Sequence, residues 1–366
     1  MKRITFKKII LFAGLLAATS AHADDKYNVS GFGYQDYRKT NANILEGVDK
    51  RGTGEIDIIA FVVSAKVTDH DTVFAQLESS ATEPTRFTWA FLDHRFNDNL
   101  SAHIGRVKFP LGLYNEFIDN KWLQLGVVNP LVYAAGSNMV HDAYTGVGLD
   151  WTAGSLFTQV YAGHVYDNPP NDTQDVVPFS NRNMYGGRIT WNAPFEGLRL
   201  LVSAYRTQIE STANNPSVYV SGQGTMGKDD HSIVSLDYVS DSFDIKAERS
   251  SHKVDAMPAI TIINSYTYSG DPVNASVWYV QGGYKIGLWT PYVRIDKYTA
   301  DKNNTSSPSL YQNDQTIGVG YKINDNINAR IEYQLIKGYA LTDNIPLKIP
   351  AQTGWKQIAA GINFIF

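Results

Sequence analysis

The stretch "WKQIAAGINFIF", residues 355–366, decides how the rest of the chain is read. In steps of two, Ile358, Ala360, Ile362, Phe364 and Phe366 are apolar, while Gln357 and Asn363 fall on the other parity. A period of two is that of a β-strand with one apolar and one polar face. The stretch finishes on a bare aromatic residue with no polar tail. Apolar surroundings for one face, rather than water, are the environment this ending suggests.

The same period recurs upstream. In "NINARIEYQLI" (326–336), Ile327, Ala329, Ile331, Tyr333 and Leu335 oppose Asn328, Arg330, Glu332 and Gln334. "SFDIKAE" sets Phe243, Ile245 and Ala247 against Asp244, Lys246 and Glu248, and "TIGVGYKI" sets Ile317, Val319, Tyr321 and Ile323 against Thr316, Gly318, Gly320 and Lys322. Short polar links separate such segments at residues 68–71, 96–99, 152–155, 192–197, 239–242, 285–288 and 323–326. These are hairpin signals. Longer Gly/Pro/Asn/Ser-rich connections fall near 38–54, 80–86, 110–143, 167–182, 208–230, 252–275, 299–314 and 337–354. Seven short turns and eight long loops join sixteen strands, from about 27–37 to 355–366, although the strands at 27–37, 54–67 and 155–166 alternate poorly. An even count puts both chain ends beside the short turns. The fold class expected is all-β: an antiparallel up-and-down barrel that crosses a membrane, since an unpaired strand edge in lipid leaves backbone groups unsatisfied at several kcal/mol each.

Composition agrees. No segment after the N-terminal region offers 18 consecutive apolar residues, so no transmembrane helix is expected. Mean hydropathy is −0.25 and aromatics make up 12 %, led by 22 tyrosines, which suits a wall whose alternate residues face water. Phe96, Trp151, Phe157, Trp191, Phe195, Phe243, Tyr284, Trp289, Tyr321, Phe364 and Phe366 sit next to short turns and read as an interfacial girdle. The opening "MKRITFKKIILFAGLLAATSAHADD" has a basic start, an apolar run and Ala21-His22-Ala23, the layout of a secretory signal peptide cleaved after residue 23. Its removal takes 4 of 32 basic residues and none of 36 acidic ones, leaving 28 − 36 = −8 on a single domain, residues 24–366. That charge argues against a nucleic-acid partner. The absence of cysteine excludes disulfides, thiol catalysis and thiolate metal sites.

With these features in place, the sequence resembles the Gram-negative porin family of sixteen-stranded barrels. The resemblance rests on the signal peptide, the strand pattern and the ending Ile362-x-Phe364-x-Phe366, which looks like the signal read by the outer-membrane barrel assembly machinery. It implies an outer-membrane location among lipid and lipopolysaccharide, passive diffusion of ions or small hydrophilic solutes, a possible homotrimer and no cofactor. It also implies that the third long loop, "GRVKFPLGLYNEFIDNKWLQLGVVNPLVYAAGSNMVHDAY", folds inward between Pro110 and Ala143 to set the constriction. Two departures stand out. The Pro-Glu-Phe-Gly-Gly tip of many enterobacterial porins is absent, so loop residues do not match one to one, and the second loop, which latches subunits in those trimers, is short.

A passive pore selects by bore and by charges focused between low-dielectric walls. Parity sends Arg188, Arg199, Lys246, Arg294, Arg330 and Glu332 inward with Asp244, Glu248 and Asp296, and the third loop adds Glu116, Asp119, Lys121 and Asp142. One expectation is a transverse field with wall arginines facing loop carboxylates. The competing one is local pairing across strands, for example of Arg294 with the neighbours of Asp296. The eight histidines, among them His94, His103, His164 and His231, show no metal-ligand spacing, so no metal is expected. Asp172 to Asp175 and Asp229-Asp230 read as solvated loop acids in preference to contacts for Ca²⁺ or lipopolysaccharide-bridging cations. Two other functions compete with a pore: a barrel enzyme of phospholipase or protease type with a Ser/His or Asp/His cluster at the outer rim, and a surface adhesin acting through its long loops.

Overall fold

The computed structural model describes residues 26–81, 84–134, 137, 141–166, 179–211, 218–219, 224–255, 260–262, 266–268, 273–303, 306–344 and 347–366. The signal-peptide reading of residues 1–23 and the acids at 172–175 lie outside them. Among the described residues, sixteen long antiparallel strands close into a barrel. They are β1 (Tyr27–Thr40), β2 (Thr53–Lys66), β3 (Asp71–Ser79), β4 (Arg86–Asn97), β5 (Leu100–Lys108), β6 (Ala143–Ala153), β7 (Leu156–Tyr166), β8 (Phe179–Asn192), β9 (Leu198–Ser211), β10 (Gly224–Val239), β11 (Phe243–Val254), β12 (Val273–Tyr284), β13 (Trp289–Thr299), β14 (Tyr311–Lys322), β15 (Ile327–Gly338) and β16 (Gly354–Ile365). Each strand pairs with its neighbours in sequence, and the links after even-numbered strands are the short ones. Three short segments, Val218–Tyr219, Ile260–Ile262 and Tyr266–Tyr268, form a small separate sheet within the long loops.

The seam between β1 and β16 closes the barrel. β1 pairs with β16 from Phe32 opposite Ile365 to Thr40 opposite Gln357. Beyond that, Gly31 and Phe366 exchange backbone hydrogen bonds of 2.8 and 2.9 Å. Ile358, Ile362 and Phe366 stay exposed on the outer face, while Gln357 and Asn363 are buried on the lumen side. A Cβ on Gly31 would lie 2.2 Å from Phe366 Cζ, and one on Gly33 2.5 Å from Phe364 Cζ. The glycines that spoil the alternation of β1 are therefore the slots in which the terminal rings lie.

The outer wall is apolar by the same arithmetic. Ile245, Val293, Ile295, Ile317, Ile331 and Leu335 are all exposed. Phe96, Trp151, Trp191, Phe195, Phe243, Tyr284 and Trp289 are also exposed near the short turns, with Phe243 on Tyr284 at 4.9 Å and Trp289 on Tyr321 at 4.5 Å between ring centroids. Phe157 corrects the girdle reading. It is buried at 6 % exposure on the lumen side, because the outward face of β7 carries Leu156 and Val160 instead.

The core of the molecule sits inside the barrel. Phe109, Leu111, Tyr114, Val132 and Tyr133 of the third loop pack with Tyr144, Tyr161, Val165, Ile233, Val277, Tyr279 and Ile336 of the wall. The first and last long loops meet over the β1–β16 seam: Ile44 N donates to Asn344 Oδ1 at 2.7 Å, and Asn43 Nδ2 donates to the Gln352 carbonyl at 2.8 Å.

Candidate functional site: the lumen and its inserted loop

The third loop leaves β5 through Phe109-Pro110, and both residues turn inward because water outside offers nothing to the side chains that follow. Phe109 and Leu111 have no exposed surface. At Gly112 the backbone takes φ +64°, and a Cβ there would lie 2.3 Å from Tyr133 Oη and 2.7 Å from Glu248 Oε1. Glycine is needed for the angle and for the approach. Short 3₁₀ turns at Asn115–Phe117, Lys121–Leu123 and Leu131–Tyr133 then fold the segment on itself.

A loop without long regular structure must satisfy its backbone groups elsewhere, and the wall charges do this. Glu248 of β11 accepts from Leu113 N at 2.8 Å, Tyr133 Oη at 2.6 Å, Ser235 Oγ at 2.6 Å and Tyr279 Oη at 2.8 Å. Glu332 of β15 accepts from Val127 N at 2.9 Å, Val128 N at 3.0 Å and Tyr292 Oη at 2.8 Å. Asp296 of β13 accepts from Leu131 N at 2.9 Å and from Arg294 Nε at 2.7 Å. Arg294 also donates to the Val128 carbonyl at 2.8 Å, and Arg330 to the Lys121 carbonyl at 2.6 Å. Wall carboxylates thus hold loop N–H groups, and wall arginines hold loop carbonyls. These charge-assisted bonds, at about 1.5–3 kcal/mol each, fasten the loop to β11, β13 and β15, and a neutral bond in which Ser203 Oγ of β9 accepts from Gly112 N at 3.0 Å adds a further anchor.

The side chains picked out by parity and by loop membership therefore divide. Arg294, Arg330 and Glu332 are buried fasteners of the loop backbone. Arg188 of β8 does meet a loop carboxylate, with Nη1 2.6 Å from Glu116 Oε2, and Gln159 Oε1 accepts from its Nε at 2.8 Å. Arg199 and Lys246 pair on the wall, with Asp237 and Asp244. Asp119 and Asp142 both accept from Lys108, the former at 2.7 Å. Lys121 is carried to the far wall, where it donates to Asn129 Oδ1 and lies 5.8 Å from the centre of the Tyr34 ring. Burial pulls the Lys121 ammonium down to about 8, with Arg38 adding in the same direction and Asp36 opposing. Between the loop and β4–β11, toward the short-turn end, lies a cavity of about 420 Å³ lined by Lys108, Glu116, Arg188, Arg199, Asp237 and Lys246 among others.

Sequence reasoning missed several residues. Lys108 ends β5 just before the loop, where strand parity no longer applies. Nothing in strand or loop patterning sets Tyr133, Tyr279 and Tyr292 apart from the other tyrosines. The histidines that read as scattered also contain a cluster: His141, Asp229 and His231 place ligand-type atoms within 4.8 Å of one another. Antiparallel register sets His231 opposite both Tyr205 and His252, a relation that linear spacing cannot display. Asp229 belongs to β10 and is 5 % exposed, so it is no solvated loop acid.

No protein-family model matches the chain, and no curated protein is similar to it in sequence. Solved structures are similar in shape. The outer-membrane OmpT of Vibrio cholerae aligns with a TM-score of 0.61 at 11 % identity, over 95 % of this chain and all of that one. OmpF of Salmonella typhi, in complex with daunomycin, aligns with a TM-score of 0.61 at 14 % identity, over 93 % of this chain and 97 % of that one. A mutant of the Rh. blastica porin gives 0.52 at 13 % identity, over 93 % and 100 %. At such identities the likeness is one of fold: the chain has the porin-type sixteen-stranded barrel, closed through β1 and β16, with its third long loop inside the lumen.

Proposed function

We propose that the protein is an outer-membrane porin, exported by a cleaved signal peptide, through which ions and small hydrophilic solutes diffuse passively. The observation that carries this reading is the third loop held across the lumen beside a charge-lined cavity. A wall that is apolar outside and charged inside suits a water-filled passage. Glu248, Glu332, Asp296, Arg294 and Arg330 are engaged in positioning the loop, which supports a conduit, while the Asp229–histidine cluster on the long-loop side stands apart from that fastening. Glu116, Asp119, Lys121 and Asp142 of the loop and Arg188, Arg199 and Lys246 of the wall set the local field, with Lys108 beside them. Arg294, Arg330 and Glu332 act by fixing where the loop sits. Outer-membrane lipid, lipopolysaccharide and the barrel assembly machinery are the partners this reading carries, with Ile362, Phe364 and Phe366 as the terminal signal for the machinery. A homotrimer fits as well, since one similar structure is described as the trimer form of the Vibrio cholerae protein.

Ion preference under a salt gradient tests the reading. Below about pH 8 Lys121 is charged, and above it the ammonium loses its proton. One positive charge then leaves a lumen where focusing is strong. The reversal potential is expected to move toward cation preference between pH 7 and 9, and the shift should vanish in Lys121→Met. A preference independent of pH, or an equal shift in Lys121→Met, would remove Lys121 from the conducting path.

A further inference from the structure

On the long-loop side of the lumen, three imidazoles converge on one carboxylate. Asp229 Oδ1 is 2.7 Å from His231 Nε2 and 2.9 Å from His252 Nε2. The two rings stack with centroids 3.9 Å apart, and Tyr205 stacks on the far side of His231 at 4.5 Å. His141, on the return arm of the third loop, brings Nε2 to 3.9 Å from the other oxygen, Asp229 Oδ2. That gap is too long for a hydrogen bond, and His141 Nε2 has no hydrogen-bond partner among the described residues. Asp229, His231 and His252 are buried, and His141 is half-buried with its Nε2 turned away from solvent toward Asp229.

We infer that His141, Asp229 and His231 form a binding site for a borderline divalent transition-metal ion of the Zn²⁺ class. Two nitrogens and a carboxylate oxygen are the usual donors for such ions, with a fourth position left to water. Ligands at about 2.0–2.1 Å from a tetrahedral ion lie about 3.4 Å apart. The His141–Asp229 gap is therefore near what an ion would span, and a small rotation of His231 trades its 2.7 Å contact with Asp229 for a metal bond. His252 keeps its bond to Asp229 Oδ1 and orients the carboxylate, the outer-shell arrangement that metal carboxylates need. Ca²⁺ and Mg²⁺ are disfavoured, because they take six or more oxygens and this cluster offers one carboxylate. The consequence for the pore is mechanical: the ion would tie the return arm of the third loop to β10, one residue from Asp142, which holds Lys108.

The test is spectroscopic and does not depend on whether the barrel conducts. Untagged mature protein, refolded and stripped with EDTA, is titrated with Co²⁺. The expected result is one ion per chain with the visible d–d absorption of a four-coordinate site, displaced by Zn²⁺. His141→Gln, which changes the most exposed ligand, and Asp229→Asn should each weaken binding by about tenfold or more. His94→Gln should not, because His94 pairs with Asp71 at 2.7 Å near a short turn. Folding of each variant is read from its heat-dependent gel migration. Absence of saturable Co²⁺ binding by the folded wild type, or unchanged binding in folded His141→Gln and Asp229→Asn, would overturn the site.

Discussion

Glu248 shows at the residue scale how this lumen is built. A carboxylate that is 3 % exposed would be costly if unpaired, yet four donors reach it from β10, β12 and two points of the third loop. Glu248→Gln keeps the shape and removes the charge. Glutamine keeps one accepting oxygen and puts a donating NH₂ in place of the other; the two loop bonds, from Leu113 N and Tyr133 Oη, fall from about 1.5–3 kcal/mol to at most about 0.5–1.5 kcal/mol each, so the loop should be held less firmly by roughly 2–3 kcal/mol. The expected outcome is a barrel that still folds but shows greater open-channel current noise and a lower thermal midpoint. Noise indistinguishable from wild type would mean that Glu248 does not hold the loop. That Glu248 points inward was legible from the alternation of "SFDIKAE". Its partners were not: cross-strand register sets Ser235 and Tyr279 opposite it, and Leu113 and Tyr133 reach it only because the third loop folds inward. The histidine cluster escaped for the same reason: cross-strand register, and not spacing, makes neighbours of His231 and His252.

At the scale of elements, strands were legible wherever one face meets lipid and the other water: β11 follows its sequence parity over Phe243–Glu248 and β15 over Arg330–Leu335, while β14 alternates only as far as Ile317. β1 was obscure because Gly31 and Gly33 occupy positions where outward side chains would otherwise mark the face. The structure turns that ambiguity into a prediction about closure. Gly31→Leu drives a side chain into the Phe366 ring and, from 2.9 Å, into the Ala60 carbonyl. It should impair pairing of β1 with β16, seen as loss of the compact, heat-modifiable gel band or a markedly lower unfolding temperature. Gly282→Ala on the outer face of β12 meets nothing within 4 Å and should be tolerated. Wild-type behaviour of Gly31→Leu would contradict the account of the seam. The third loop was legible only as a long connection with a family resemblance. Its inward fold depends on Gly112, on buried Phe109 and Leu111, and on wall groups that strand patterning assigns to the lumen without assigning them a task.

For the whole molecule, the barrel encloses a core in place of a wide bore. The third loop fills much of the section with apolar packing and leaves charged space beside Arg188 and Glu116. Passage is therefore expected to be narrow and sensitive to that space. The most direct measurement is single-channel current through refolded mature protein in a planar bilayer, for wild type and Glu116→Cys. The chain has no native cysteine, so a methanethiosulfonate reagent labels one place only. Steady, small unitary steps are expected for both, with the current of Glu116→Cys falling at least about twofold once the reagent narrows the passage beside Arg188. A barrel that inserts and stays silent, or a labelled Glu116→Cys channel that conducts unchanged, would contradict that expectation.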